Sequence, residues 1–450
     1  MTAGAAERPG RGPAPGASAE VWPLLRLSLP IVAGLAASTL IGVVDTIMIA
    51  PLGTLPLAAA SLTTSVIIVF YSALYGFLSA IGVEAAHRHG AGDAEGVAAT
   101  LRAGLGLALG AGVLGAALMA GVFLLLPTAG QPGEVLAILG PYWLAMSGLL
   151  LPVTVLMAIS QVLNAIDRPW TSAGFAFVGV ALNAPLNYLL IWGVGTWPGL
   201  GLLGAGLASL AADGIALGLA LAWLVRSGLL AHRGNSPGLA RRLARDGLPL
   251  AIGYTGEGAA FAVVGVMLGW FGAMALAANQ IVQAVGGVLY MLPLGMAAAV
   301  AIRVGQAIGA GERDRLRPVA RAAIGTVGAW MAAVTVGLIL FGGWISAALS
   351  DDLAVVRLAT AMFVVVALIQ VADGVQSAAL GALRGATDFR WPTGFTLACY
   401  WLLALPLAYL LGFTAGLGPL AVWAGYGCGI VLAAGVLPAR FWWLTRPAGG

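Results

Sequence analysis

The sequence predicts an all-α integral membrane protein, with twelve transmembrane helices in two six-helix lobes related by a parallel internal repeat. Three observations predict it. The 450-residue chain is 60% apolar and only 8% charged, where ordinary soluble domains carry roughly 25% charged residues. Twelve of its apolar runs are long enough to cross a bilayer. Blocks of sequence also recur at a nearly fixed offset. A single soluble core is excluded, because such cores stop growing near ~250–300 residues.

The spans come first. A membrane helix needs roughly 20 apolar residues. Such runs lie near 24–49, 57–83, 97–125, 136–163, 170–193, 203–225, 247–270, 275–302, 319–348, 355–382, 391–412 and 419–443. All 21 basic residues are arginine. With these spans, only Arg357 falls on one side, and every other arginine falls on the opposite side. By the positive-inside rule the rich side is cytoplasmic, as are both termini. The net charge of +4 is spread through short loops, so it does not point to nucleic acid. Residues 1–20, rich in Pro, Gly and Ala, are expected to be disordered. They do not read as a signal peptide, since the apolar run that follows is far longer than an h-region. The organisation is then an N-lobe over 21–226, a linker over 227–246 and a C-lobe over 247–445. Cys399 and Cys428 match no zinc or redox spacing and read as core residues. His87 and His89 read as solvated loop residues.

The repeat comes next. "LPIVAG" begins at Leu29 and "LPLAIG" at Leu248, 219 residues apart. "LAAASLTTSVIIVFY" from Leu57 and "LAANQIVQAVGGVLY" from Leu276 share that offset, as do "GAGD" and "GAGE" from Gly90 and Gly309. "TSAGFAF" with "WPTGFTL" and "APLNYLL" with "LPLAYLL" follow one or two residues further on. Six spans per half make both halves enter from the same side. The repeat axis therefore runs along the membrane normal, with a cavity between the lobes, which is transporter architecture.

Ionisable groups carry the chemistry. Each costs roughly 2.5–3.5 kcal/mol inside a bilayer. Asp45, Asp213, Glu257 and Asp373 lie within spans, with no arginine read at their depth. Each then holds a proton or a cation. Gln370, Asp373, Gln376 and Ser377 share one helix face. Glu257 has Tyr254 one turn before it, and the next span supplies Asn279, Gln280 and Gln283. These side chains are expected to line a cavity. In the first half, Asn183 and Asn187 flank Pro185 on one face, and the proline frees a backbone carbonyl. The plain alternative is that a polar residue only glues helices together, for ~0.6–2 kcal/mol. Asp213, in a helix of Gly and Ala, is read that way. Asp45, Glu257 and Asp373 are read as functional, and Asn279 and the glutamines stand between the two. Positions Val264, Ser38 and Val153 face the three acids across the repeat, so the fold is duplicated but the ion chemistry is not.

The residues quoted, with "VDTIMIAPLG", "LNAPLNY", "GLPLAIGYTGEGAAFAVV", "LPLGMAAAVAIRVGQAIG" and "ADGVQSAALGALRGATD", resemble the multidrug and toxic compound extrusion (MATE) transporters, NorM-like branch, over nearly the whole chain. The resemblance implies a cation-coupled antiporter exporting organic cations. It assigns Asp45, Asn183 and Asn187 to an amino-lobe cation or proton site. Glu257 and Asp373 would be the carboxy-lobe site that NorM-like members use with sodium. Two departures stand out: some members carry an acid where Asn187 stands, and Asn279 replaces an expected histidine.

No Walker motif is present, so ATP is not expected as the energy source. No cofactor is expected beyond Na+ or H+ as the coupling ion, and enzyme chemistry is not expected. The partners read from the sequence are the lipid bilayer of a bacterial plasma membrane and small organic cations, with the chain acting as a monomer. The competing function on this fold is a flippase for a lipid-linked sugar, or a dedicated natural-product exporter. A large anionic headgroup would demand basic residues in the cavity.

Overall fold

The computed structural model describes residues 16–128, 130–230 and 236–446. Twelve helices long and apolar enough to span a membrane run through them. The N-lobe holds α1 (Ala17–Leu52), α2 (Thr54–Gly90), α3 (Ala94–Leu125), α4 (Gly133–Ala165), α5 (Pro169–Trp192) and α6 (Leu202–Arg226). The C-lobe holds α7 (Leu239–Gly269), α8 (Ala273–Gly309), α9 (Arg313–Leu349), α10 (Leu353–Gly385), α11 (Arg390–Thr414) and α12 (Pro419–Leu444).

The helices overrun the apolar windows. The 37 residues of α2 rise about 55 Å, against a hydrocarbon layer of roughly 30 Å. Hydropathy finds the lipid-facing part of a helix, and the rest projects beyond it. Two expected boundaries move for this reason. Much of the expected linker is the first turns of α7, which carry Arg241, Arg242 and Arg245. The expected disorder stops short of Ala17, where α1 begins. Residues 1–15 and 231–235, on which the rest of those two expectations falls, lie outside the described residues.

The "GAGD" and "GAGE" blocks make the same turn, with Gly92 at φ 71° and Gly311 at φ 72°. Asp93 then caps α3 by accepting from the Gly96 N–H at 2.7 Å. That N–H, with Arg88 beside it, holds the Asp93 carboxyl below the usual carboxylate range. Pro185 in α5 and Pro406 in α11 each lack an N–H, and each helix ends in a π turn, Tyr188–Trp192 and Leu410–Thr414.

The lobes meet through contacts that exchange across the repeat. Gly76 of α2 lies on the backbone of Leu250 and Ala251 in α7, where a Cβ has no room. Gly295 of α8 meets the Val32 side chain and the Ser28 carbonyl of α1, again with no room for a Cβ. Gly90 of α2 abuts the backbone of Gln306, and Gly309 of α8 abuts that of His87. Ala251 is the repeat mate of Val32 and Gln306 that of His87, so these contacts exchange as in an interface built about a two-fold axis.

Ion pairs join the same mated helices, α1 to α8 and α2 to α7, with the charges reversed. Glu20 of α1, 1% exposed, accepts from Arg303 Nη2 at 2.9 Å and from Arg315 Nη2 at 2.7 Å. Glu84 of α2, the repeat mate of Arg303, takes Arg242 of α7 at 2.5 Å. Gln306 donates to the Ala165 carbonyl at 3.0 Å and to Asp167 at 3.2 Å. His87 was expected in a solvated loop. It belongs to the last turn of α2, and its Nε2–H donates to the Gly385 carbonyl at 2.8 Å. All these polar ties lie at the arginine-rich ends of the helices, which seals the lobes together on that side.

A valine at Gly309 should prevent this closure. In a variant with Cys399 and Cys428 replaced by alanine, Ala301→Cys places a thiol on the inter-lobe cavity wall. We predict that an impermeant maleimide applied from the arginine-rich side labels it only when Gly309→Val is also present. Equal labelling with and without the valine would refute the sealed closure.

Candidate functional site

In the N-lobe, α1, α5 and α6 bring four polar side chains together. Asp45 Oδ1 accepts from Asn187 Nδ2 at 2.6 Å and from Asn183 Nδ2 at 3.1 Å. Asp45 Oδ2 accepts from Ser209 Oγ at 3.0 Å. Asn187 also donates to Asn183 Oδ1 at 3.1 Å. Both asparagines are fully buried, and Asn187 Oδ1 has no partner. In this arrangement the cage presents donors to the Asp45 carboxyl. Turning the amides presents oxygens instead, so the same residues can hold a cation.

Ser209 had gone unnoticed in the sequence. It lies four residues before Asp213 on one face of α6, a spacing that could have found it. Asp213 is not the helix glue it was expected to be. It lines the cavity, close enough to Asp45 for their charges to interact. Gly179 of α5 leaves room for its carboxyl.

In the C-lobe, Glu257 of α7 and Asp373 of α10 lie within each other's field. Both are half-buried. Tyr290 of α8 donates to Asp373 Oδ1 at 3.3 Å, and Tyr400 of α11 donates to Glu257 Oε1 at 3.4 Å. Gln376 in turn donates to the Tyr400 hydroxyl. Tyr426 stacks on Tyr400 with ring centres 5.7 Å apart, and Trp423 meets Tyr426 edge-on at 6.1 Å. Two carboxylates and two phenols thus sit against an aromatic wall. Tyr290 is the repeat mate of Tyr71, which lies in the field of Asp45 and Asp213. Each lobe therefore carries two acids beside one of a mated pair of tyrosines; Asp45 and Glu257 lie on the mated helices α1 and α7 at unmatched positions, whereas Asp213 and Asp373 lie on α6 and α10, which are not mates.

Several expected lining residues are placed elsewhere. Asn279 is buried and accepts from Trp423 Nε1 at 3.2 Å, because a buried indole N–H needs an acceptor. Gln376 is buried and donates its amide N–H to the Tyr400 hydroxyl. Gln370 and Ser377 are buried on α10, Gln370 facing Gly286 of α8. Gln283 half-faces Gly265 of α7, and Gln280 is exposed. Cys399 is buried, but Cys428, expected in the core, is exposed.

A cavity of about 360 Å³ lies between the lobes. Asp45, Asp213, Asn183, Tyr71 and Tyr142 line it from the N-lobe, and Tyr254, Ala301 and Arg384 from the C-lobe. Its size suits a small organic molecule. Arg384 corrects the expectation that no arginine reaches the depth of the cavity. It sits in the last turn of α10, yet its long side chain reaches the cavity wall. Tyr254, expected beside Glu257, faces Arg384: its hydroxyl accepts from Arg384 Nη1 at 2.6 Å.

The MatE family model matches residues 30–189 and 249–410, one segment in each lobe. A "Probable multidrug resistance protein NorM" of Synechococcus sp. is 30% identical, over 95% of this chain and 95% of its own. Another of the same name, from Deinococcus radiodurans, is 32% identical over 96% of this chain and 98% of its own. Among solved structures, "MATE in the bent conformation" superposes with a TM-score of 0.87 at 20% identity, covering 96% of this chain and 98% of its own. The Vibrio cholerae MATE transporter VcmN in its bent form gives 0.83 at 19% identity, covering 96% of this chain and 98% of its own.

Trp423→Phe should leave the buried Asn279 oxygen without a donor. We predict a loss of about 1–3 kcal/mol, read as a lower melting temperature of the purified protein. An unchanged melting temperature would show that this pair does not anchor α8 to α12.

Proposed function

Because the chain belongs to the MatE family, we propose that it is a secondary antiporter that exports organic cations and drugs in exchange for Na+ or H+. The arginine-rich, sealed side is then cytoplasmic. The observation that carries this reading is that each lobe holds its own pair of carboxylates inside the membrane, ringed by hydroxyl and amide groups. The curated relatives are named as multidrug resistance proteins, which agrees with an exporter.

The proposed cycle follows from charge. With the cavity open away from the arginine-rich side, Asp45 and Asp213 offer negative charge to a bound organic cation. An incoming ion competes for that charge. At Asp45, a proton or Na+ makes the counter-charge redundant and weakens the hold on the cargo. At Glu257 and Asp373, two carboxylates in one another's field take up one positive charge readily, and Tyr290 and Tyr400 supply further oxygens. An ion that binds the two facing states differently shifts their populations. Filling either site removes part of the cost of charge in the membrane and so biases the lobes.

Asp45→Asn and Asp373→Asn, expressed in bacteria lacking other efflux pumps, test this. We expect each to raise ethidium accumulation to the level of cells without the transporter, while exposed-loop Asp351→Asn does not. Normal efflux by both variants, with normal membrane expression, would remove the acids from the mechanism.

A further inference from the structure

A second, smaller cavity, of about 220 Å³, opens at the arginine-rich ends of the C-lobe helices. Arg245 and Asp246 of α7 line it on one side. Thr387, Asp388 and Arg390, in and after the turn between α10 and α11, line the other. Phe389, also on the wall, is buried against Ala80 and Val83 of α2 and Leu250 of α7. Asp388 is already satisfied, since it accepts from Arg440 Nε at 3.1 Å. Arg245, Asp246 and Arg390 form no ion pair among the described residues. The charges left open are therefore two guanidiniums and one carboxylate, converging on one hollow.

The surroundings place this hollow at the membrane surface. The Arg440 guanidinium carbon stands 4.9 Å from the ring centre of Trp391 and 4.8 Å from that of Trp443. Both indoles are exposed, and exposed tryptophans beside arginine mark the headgroup level of a bilayer. Deeper along α7, Leu248 and Ile252 are 57% and 52% exposed. They follow Arg245 at i+3 and i+7, so all three share one face. Tyr254, nine residues after Arg245, is half a turn out of phase with it and lines the inter-lobe cavity instead. The polar hollow thus gives onto an apolar stripe that faces lipid.

We propose that this hollow seats the headgroup of a phosphatidylethanolamine. The phosphate rests on Arg245 and Arg390, the ammonium on Asp246, and an acyl chain runs along Leu248 and Ile252. A guanidinium receives phosphate oxygens through parallel N–H bonds, and basic pockets between helices on the cytoplasmic side bind lipid headgroups. Asp246 selects the other end of the headgroup. A carboxylate beside a phosphate site repels further negative charge and attracts positive charge. Ethanolamine brings a cation that carries N–H donors. Choline brings a cation with no donor, and glycerol brings donors with no charge. The volume lies below the roughly 300–1,000 Å³ of drug-sized sites, which suits a headgroup. The hollow is separate from the inter-lobe cavity, so this site stands or falls independently of the export reading. In the rival role Asp246 only offsets the two arginines through water, and no lipid is selected.

Lipid selection is therefore the test. The full-length protein is delipidated in detergent, and native mass spectrometry follows bound lipid as each of three lipids with identical acyl chains is added. Wild type is expected to hold phosphatidylethanolamine more tightly than phosphatidylcholine or phosphatidylglycerol. Arg390→Gln should weaken phosphatidylethanolamine binding about tenfold, the worth of one charge-assisted contact, and Arg245→Gln should do the same. Asp246→Asn should cut the preference for ethanolamine over glycerol about threefold, the worth of one half-exposed ion pair. Melting temperatures equal to wild type before lipid is added show that the variants are folded. Glycerophosphoethanolamine, which has the headgroup but no chains, should compete only weakly. Equal binding of the three lipids by wild type overturns the proposal, as does tighter binding of phosphatidylglycerol or an unchanged preference in Asp246→Asn. Full competition by glycerophosphoethanolamine or by inorganic phosphate would reveal a site for soluble phosphates and overturn the lipid assignment.

Discussion

A carboxylate inside a membrane must find hydrogen bonds, an opposite charge or an exchangeable ion, and the polar architecture of this protein is arranged around that demand. The demand is met differently in the two lobes. Asp45 takes three neutral donors from α5 and α6. Glu257 and Asp373 take one phenol each and share a field. Neither arrangement supplies a fixed cation within bonding distance. Each leaves a site whose charge a mobile ion can complete. In the proposed cycle such a site responds to a gradient, whereas a fully paired one would not.

The inter-lobe surface shows the opposite solution. Glu20 is almost wholly buried but is gripped by two arginines, one of them through two nitrogens. Around it, glycines bring backbones so close that no side chain fits. These ties need no outside partner, so they can hold one facing state closed while the membrane-embedded acids remain open to exchange. On the proposed antiport reading, the division between satisfied charge at the helix ends and incomplete charge within the lobes separates what closes the protein from what drives it.

Much of this could be read in the sequence. The twelve spans and the six-helix halves follow from apolar run length and arginine placement, and the shared face of Asn183 and Asn187 from helical spacing; the association of Asp45 with them is implied by the family resemblance. The repeat offset also aligns Gly76 with Gly295 and Gly90 with Gly309; that their contacts exchange between the lobes is seen only in the structure. What escaped depends on direction and reach. Asp213 looked like glue because its helix is rich in Gly and Ala and Ser209, one turn away, was passed over, while its neighbours Asp45 and Tyr71 come from α1 and α2. Arg384 looked like a loop residue because hydropathy marks its Cα, but a long side chain can place its charge well away from its own backbone. Asn279 looked free because its partner, Trp423, is 144 residues away. Glu20 lay in a stretch whose composition suggested disorder, and only its contact with α8 and α9 gives it a role.

The central claim is that the intramembrane acids exchange an ion against an outgoing organic cation. The most direct measurement loads proteoliposomes with a fluorescent organic cation and imposes a sodium gradient and a pH gradient separately. The account predicts efflux under at least one gradient and none when both are collapsed. A sodium-driven flux points to Glu257 and Asp373, and a purely pH-driven flux to Asp45. Folded protein that moves the dye equally with and without any gradient would contradict it.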